Sequence, residues 1–301
     1  MTRAIQQSVV TMPRRETPYP TIPDFLAERF PAIAPEIWLQ RIAEGTVRDE
    51  HNRPITVESS YLPQQRLFYY REVAEEPVIP FSEQIIHRDD ELLVACKPHF
   101  LPVTPGGKYV AECLLNRLRE STGLADLVPL HRIDRETAGL VLFSVNRKTR
   151  GAYGSLFMNG NIEKRYEAVA RCHKLPDRNR WEIENRIVRG EPWFLMKTEP
   201  GIGNARSTIL LKELRDGLGL FHLYPHTGKT HQLRLHMGEL GFGILHDRSY
   251  PALQAERDDD FTTPLQLLAQ SVRFIDPVTG QKREFVSGRT LCHSPSVTPG
   301  E

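Results

Sequence analysis

His131–Ser144, HRIDRETAGLVLFS, is the stretch on which the fold of this 301-residue chain turns. It opens as a loop carrying one carboxylate, Asp134, between two guanidinium groups, Arg132 and Arg135. Leu140, Val141, Leu142 and Phe143 follow, an unbroken apolar run with the composition of a buried strand. A core strand with an aspartate and paired arginines at its mouth suits chemistry on a polyanion. Taken alone, the same residues also describe an ordinary loop ion pair. The rest of the chain decides between these readings.

Global charge is uninformative: 39 Lys and Arg oppose 38 Asp and Glu. Locally the balance shifts. Between His131 and Lys174 nine basic side chains face four acidic ones, a surplus of five that would attract phosphates. The four cysteines (Cys96, Cys113, Cys172, Cys292) are scattered without a Cys-x-x-Cys pair, which argues against a zinc ribbon or a disulfide framework and for a reducing compartment. The N-terminus has no apolar signal core, and no 18-residue apolar run occurs anywhere. The expected location is cytoplasmic, with no membrane association.

Four segments are expected. Residues 1–34, rich in Pro and polar residues, read as an arm. Residues 35–80 read as a small module: a short amphipathic helix from Pro35, then alternating runs. Residues 81–290 form the main domain, and 291–301 a tail. In the main domain IIHRDDELLVACKP predicts two strands about an Asp89-Asp90 turn, and LPVTPGG a loop. Helices are predicted over Tyr109–Arg119, Gly151–Met158 and Thr230–Leu240. Further strands are predicted over 163–170 and, as a pair split by Asp216-Gly217, over 207–225. Strands mostly follow strands, so the fold class is α+β around a mixed, largely antiparallel sheet with flanking helices.

Three strings carry the chemistry: HRIDRETAG with its buried run, Lys164-Arg165-Tyr166-Glu167-Ala168-Val169, and His226–Tyr250, HTGKTHQLRLHMGELGFGILHDRSY. In this order and spacing, over roughly residues 83 to 288, the chain resembles the RluA-type pseudouridine synthase family, enzymes that isomerise uridine in RNA. The resemblance implies that family's fold, with a catalytic cleft, and an activity needing no cofactor and no metal. It implies Asp134 as the catalytic aspartate, Tyr166 as the tyrosine that packs on the flipped base, and Arg234 as the basic partner of Asp134. It implies Arg132 as the side chain filling the gap left by the flipped base. Arg135, Lys164, Lys229 and His231 join it as RNA contacts. The partner would be structured RNA, ribosomal or transfer, and the protein a monomer. Residues 35–80 look like a worn form of the small RNA-binding domain that often precedes this catalytic domain, with Arg41, Arg48 and Arg53 as its few basic residues.

The residue types suit the reaction on their own terms. Isomerisation breaks a bond from sugar to ring nitrogen, turns the uracil, and rejoins it through a ring carbon, with no change of redox state. A carboxylate can attack the sugar's anomeric carbon or assist removal of a sugar proton; both routes stay open. An aromatic ring is a sequence-tolerant platform for a flipped base. A planar guanidinium can occupy the vacated stack. Some positions depart from the family: Ala138 for Ser, Lys229 for Arg, His246 and Pro251 for Gly, and Leu268 for His. Two other classes compete. A catalytically silent RNA-binding protein has no need of a buried Asp–Arg set. A nucleoside hydrolase or glycosidase wants a second carboxylate or a metal, which the three strings do not supply. His231 and His236 are five apart and cannot form an i, i+4 ligand pair.

Overall fold

The computed structural model describes residues 2–172, 174–255 and 260–294. Most of the expected C-terminal tail, 295–301, lies outside the described residues. The chain divides into two compact units, Met1–Pro77 with Pro105–Ala111, and Val78–Thr104 with Glu112–Glu301.

The first unit contains β1 (Thr2–Arg3), β2 (Ser8–Thr11), α1 (Ile22–Arg29), α2 (Pro35–Ala43), β3 (Arg48–Asp49), β4 (Arg66–Tyr69) and β5 (Glu72–Val73). Residues 1–34 are therefore not an arm. β2 pairs with β4, and Met12, Ile22, Phe25 and Leu26 share one buried cluster with Trp38 and Ile42. One of the prolines that suggest a linker, Pro23, instead lies in the first turn of α1, where no backbone N–H is lost. Thr21 and Asp24 cap that helix reciprocally. The loop Pro105–Ala111 also belongs here: the Glu76 carboxylate accepts hydrogen bonds from the Val110 and Ala111 N–H groups. All three candidate RNA-binding arginines are occupied within the unit, Arg48 by the Asn52 carbonyl at 2.9 Å. Arg41 is buried against Glu72 at 3.1 Å, and Arg53 binds Asp49 at 2.7 Å.

The second unit contains β6 (Gln84–Arg88), β7 (Leu92–Lys97), α3 (Leu114–Thr122), β8 (Val128–Pro129), β9 (Ala138–Ser144), α4 (Arg150–Met158) and β10 (Ile162–Arg171). It continues with β11 (Arg180–Arg189), β12 (Met196–Glu199), β13 (Ala205–Arg215), β14 (Leu218–Pro225), α5 (Gln232–Glu239), β15 (Leu267–Ile275) and β16 (Lys282–Val286). Its 11 strands form one sheet in the order β12-β11-β13-β14-β10-β15-β9-β7-β6, with β16 on β15 and β8 on β9. Only the β15–β9 pair is parallel. This is the mixed, mostly antiparallel α+β fold that the strand pattern predicts.

The sequence places the central strands as expected. β9 is buried along its whole length, and the positive φ of Asp216 and Gly217 turns β13 into β14. Two helices start later than periodicity predicts. α3 begins at Leu114 because 105–111 belongs to the first unit; α5 begins at Gln232 because His231 is left-handed, φ 54°.

Two local features place the site. Gly139 has φ +113°, and a Cβ there would lie 2.3 Å from the Ala269 carbonyl oxygen, so only glycine lets β9 close on β15. Opposite, the β10–β15 register slips between Arg165 and Tyr166, leaving Gln270 as the extra residue and re-aiming the strand at Tyr166. Ala269 thus sits between Gly139 and Tyr166, which brings the mouth of β9 and the middle of β10 one strand apart.

Burial holds several histidines of this unit neutral. His99, His222 and His236 are pushed down to about 4, and His131 to about 3. These folded values lie below the ordinary imidazole range, so from about pH 6.5 down to 4 the unfolded chain binds more protons, and stability rises with pH. Acidification through that window is expected to lower stability by at most about 5 kcal/mol per pH unit if all four titrate together. Solvent reaching the three partly buried rings, His99, His131 and His222, reduces that figure. Urea midpoints at pH 7.5 and 5.0 check this; equal midpoints would contradict neutral burial.

Candidate active site

The loop 131–137 enters β9 and is fastened from below. Thr137 N–H donates to the Asp134 carbonyl at 3.1 Å, closing a turn. Lys97, at the end of β7 and fully buried, donates from Nζ to the carbonyls of Pro98 and Arg135 at 2.9 and 3.0 Å. Burial pushes Lys97 down to about 7 against the opposing pull of Glu136 and Asp134. His99, neutral at pH 7, donates from Nδ1 to the Glu136 carbonyl at 2.7 Å. His131 is structural: its Nε2 accepts from Leu142 N–H at 3.1 Å, and its ring stacks on Phe157.

Fixing the loop backbone in this way leaves the Asp134 side chain 25% exposed at the cleft. Neither flanking arginine holds it. Arg135 pairs with its neighbour Glu136 at 2.9 Å, and Arg132 is exposed without a side-chain partner among the described residues. Arg234, from the first turn of α5, reaches Asp134 Oδ2 with Nη1 at 3.5 Å. That contact is the looser half of Arg234's bonding. Its Nε and Nη2 make a bidentate pair with Asp247 at 2.7 Å each, where Arg234 is 3% and Asp247 0% exposed. Burial alone would weaken the guanidinium charge, but the hydrogen bonds and charge of Asp247 outweigh it and hold Arg234 above the ordinary arginine range. Asp247 also accepts from the Ser249 and Tyr250 N–H groups. The fork is thereby locked with Nη1 aimed at Asp134.

His231 completes this side. Its Nε2 lies 4.0 Å from Asp134 Oδ1, and its Nδ1 is 2.8 Å from the Tyr250 hydroxyl. The Tyr250 oxygen accepts from Met196 N–H. The Tyr250 hydroxyl has two acceptors in reach, His231 Nδ1 at 2.8 Å and the Met196 carbonyl at 3.2 Å; donation to the nearer one leaves Nε2–H toward Asp134. Burial lowers His231 despite the nearby Asp134 charge. On the other side Tyr166, half-buried on β10, has its phenol pushed up by burial and by the charge of Asp134, so it is neutral.

The structure thus places Asp134, Arg234 and His231 together, with Tyr166 near enough to feel the charge of Asp134. Lys164 is half-buried on β10, with its ammonium pushed down by burial, and Lys229 is exposed in the loop before α5. Three residues escaped the sequence reading: Asp247, Lys97 and Glu136. Asp247 lies inside the quoted string HDRSY, and Lys97 breaks an otherwise apolar strand; those were the available signals. Glu136 corrects the statement that no second carboxylate is present. It lies 4.0 Å from Arg234 Nη1, but Arg135 occupies it, and Arg135 and Arg234 hold it below the usual carboxylate range against burial. No cluster of three or more His, Cys, Asp or Glu that could hold a metal occurs among the described residues. None of the described helices is long and apolar enough to cross a membrane.

An accessible carboxylate backed by a locked buried arginine, with a neutral phenol near it, gives a site equipped for nucleophilic or acid–base chemistry. The family described as RNA pseudouridylate synthase matches residues 91–239. An uncharacterized RNA pseudouridine synthase of Synechocystis is 30% identical over 230 residues, covering 75% of this chain and 78% of the relative. The ribosomal large subunit pseudouridine synthase C of Rickettsia bellii is 31% identical over 219 residues, covering 70% and 69%. In fold the chain is similar to human RNA pseudouridylate synthase domain containing 1, with TM-score 0.58 at 22% identity over 71% of this chain and 86% of that one. The chain belongs to the RluA-type RNA pseudouridine synthase family. It is an RNA uridine isomerase.

Proposed function

We propose that this enzyme isomerises uridines of structured ribosomal or transfer RNA in the cytoplasm as a monomer, with Asp134 as the catalytic residue. The observation that carries the assignment is the division of Arg234. Its two strong bonds go to Asp247, so Asp134 keeps a counter-ion that holds one of its oxygens only loosely, at 3.5 Å. The target uridine leaves the stack, Arg132 fills the gap, and the uracil packs on Tyr166. Asp134 either attacks the anomeric carbon or assists loss of a sugar proton. The bond from that carbon to the ring nitrogen breaks, and the uracil turns in the pocket. The bond to the ring carbon forms as the Asp134–sugar bond breaks on the first route, or as the sugar regains its proton on the second; the proton on the ring carbon leaves, and the nitrogen gains one. Atoms and charge balance within the nucleotide and solvent.

Tyr166, kept neutral, serves as packing surface and proton relay. Lys164 and Lys229 contact phosphates, with Arg132 in the stack and Arg135 fixing the loop. Two phosphate contacts give a salt slope of about −1.4 to −1.8, a loss of roughly 7- to 12-fold in RNA affinity between 50 and 200 mM salt. Binding of transfer RNA and ribosomal RNA transcripts across that range tests this. A flat dependence would remove the polyanion-binding role of the cleft.

A further inference from the structure

We propose that the turn joining β11 to β12, with the cavity behind it, binds a second unpaired nucleotide of the RNA, distinct from the target uridine. The inference rests on the isomerase reading above. Of the three tryptophans, Trp38 and Trp181 are buried, whereas Trp193 is 73% exposed at the tip of this hairpin. Phe194 beside it is 47% exposed, and the two rings meet edge to face at 6.1 Å. An exposed Trp–Phe pair marks a contact surface rather than a core.

The residues that follow the pair, Leu195 and Met196, help line a cavity of about 320 Å³ with Leu235 and Tyr250, and Glu191 and Lys197 put charged groups in the same lining. This is the small end for a ligand pocket, the scale of one nucleotide rather than of a protein element. Apolar side chains mixed with hydrogen-bonding ones suit a flat heterocycle whose rim forms hydrogen bonds. Arg186 and Arg189 on β11 are exposed and available to phosphates.

Position selects RNA as the occupant. The cavity shares a wall with the catalytic site. Leu235 follows Arg234 on α5. The Tyr250 ring lies 5.3 Å from the Arg234 guanidinium, and its hydroxyl meets His231 beside Asp134. A strand presenting its uridine to Asp134 passes this wall, and stacking on Trp193 and Phe194 would be sequence-tolerant.

The test uses the full chain and transcripts of transfer RNA and ribosomal RNA. In an Asp134→Asn background, RNA should quench the tryptophan fluorescence of the protein, and Trp193→Phe should abolish the quenching. In the active background, Trp193→Ala combined with Phe194→Ala should raise KM about 5- to 150-fold, the effect of one lost base stack. Its kcat should change less than twofold, with the melting temperature unaltered. Unchanged KM and absent quenching would overturn the proposal. A protein partner that contacts Trp193 while RNA leaves its fluorescence unchanged would replace it by a protein-docking surface. Quenching by RNA without any isomerisation by the wild-type protein would sink the isomerase reading and leave this contact standing.

Discussion

Asp134→Asn is expected to reduce isomerisation on the order of 10,000-fold while leaving fold and RNA affinity close to wild type. The amide keeps the shape of the side chain but removes the charge and the oxygen that would attack or take a proton. The fold is insulated from the change. The Asp134 carboxylate is partly solvated, its contacts to Arg234 and His231 are 3.5 and 4.0 Å, and Arg234 retains Asp247. The turn at 134–137 and the Lys97 and His99 bonds use backbone carbonyls, which the substitution leaves in place. Release of tritium from RNA labelled at the uracil carbon that forms the new bond reads the reaction directly. Retention of more than about a tenth of the activity would remove Asp134 from the chemistry.

Asp247→Ala is expected to destabilise the protein by about 3–5 kcal/mol, because it strands a buried guanidinium without its partner. Arg234 is 3% exposed, so water would not replace the two lost 2.7 Å bonds, and Asp134 at 3.5 Å is too loosely engaged to substitute. The Ser249 and Tyr250 N–H groups lose their acceptor as well. Asp247→Asn retains one acceptor oxygen but turns an amide N–H₂ toward an arginine N–H, so it too should lose stability, by less. Activity should fall in both variants as Nη1 loses its aim. Urea denaturation of these proteins beside Asp134→Asn separates the roles: a large loss at 247 and a small one at 134. A change below about 1 kcal/mol for Asp247→Ala would mean that Arg234 is anchored by something else.

The contrast between these carboxylates shows what was legible in the sequence. Asp134 stands out because it opens an apolar strand in a string with few alternatives. Tyr166 and Arg234 gain meaning from their spacing to it, Tyr166 on the sheet and Arg234 on α5. Asp247 and Lys97 take their roles from packing alone. Asp247 sits in a segment without periodicity and becomes a partner of Arg234 only once α5 lies beneath that segment. Lys97 reads as a strand end until the loop after Arg132 is folded over it. Residues 1–34 misled for a related reason: Pro and polar composition describes a linker and a short capped helix equally well, and only the burial of Phe25 and Leu26 separates them. β11 and β12 carry weak alternation and gained no assignment, yet they hold the exposed Trp193.

Pseudouridine mapping across the RNA of a deletion strain, complemented with the wild-type gene or with Asp134→Asn, tests the central claim most directly. The predicted result is loss of one or more pseudouridines from ribosomal or transfer RNA, restored by wild type and not by the variant. Restoration by Asp134→Asn, or an unaltered pseudouridine map in the deletion strain, would contradict it.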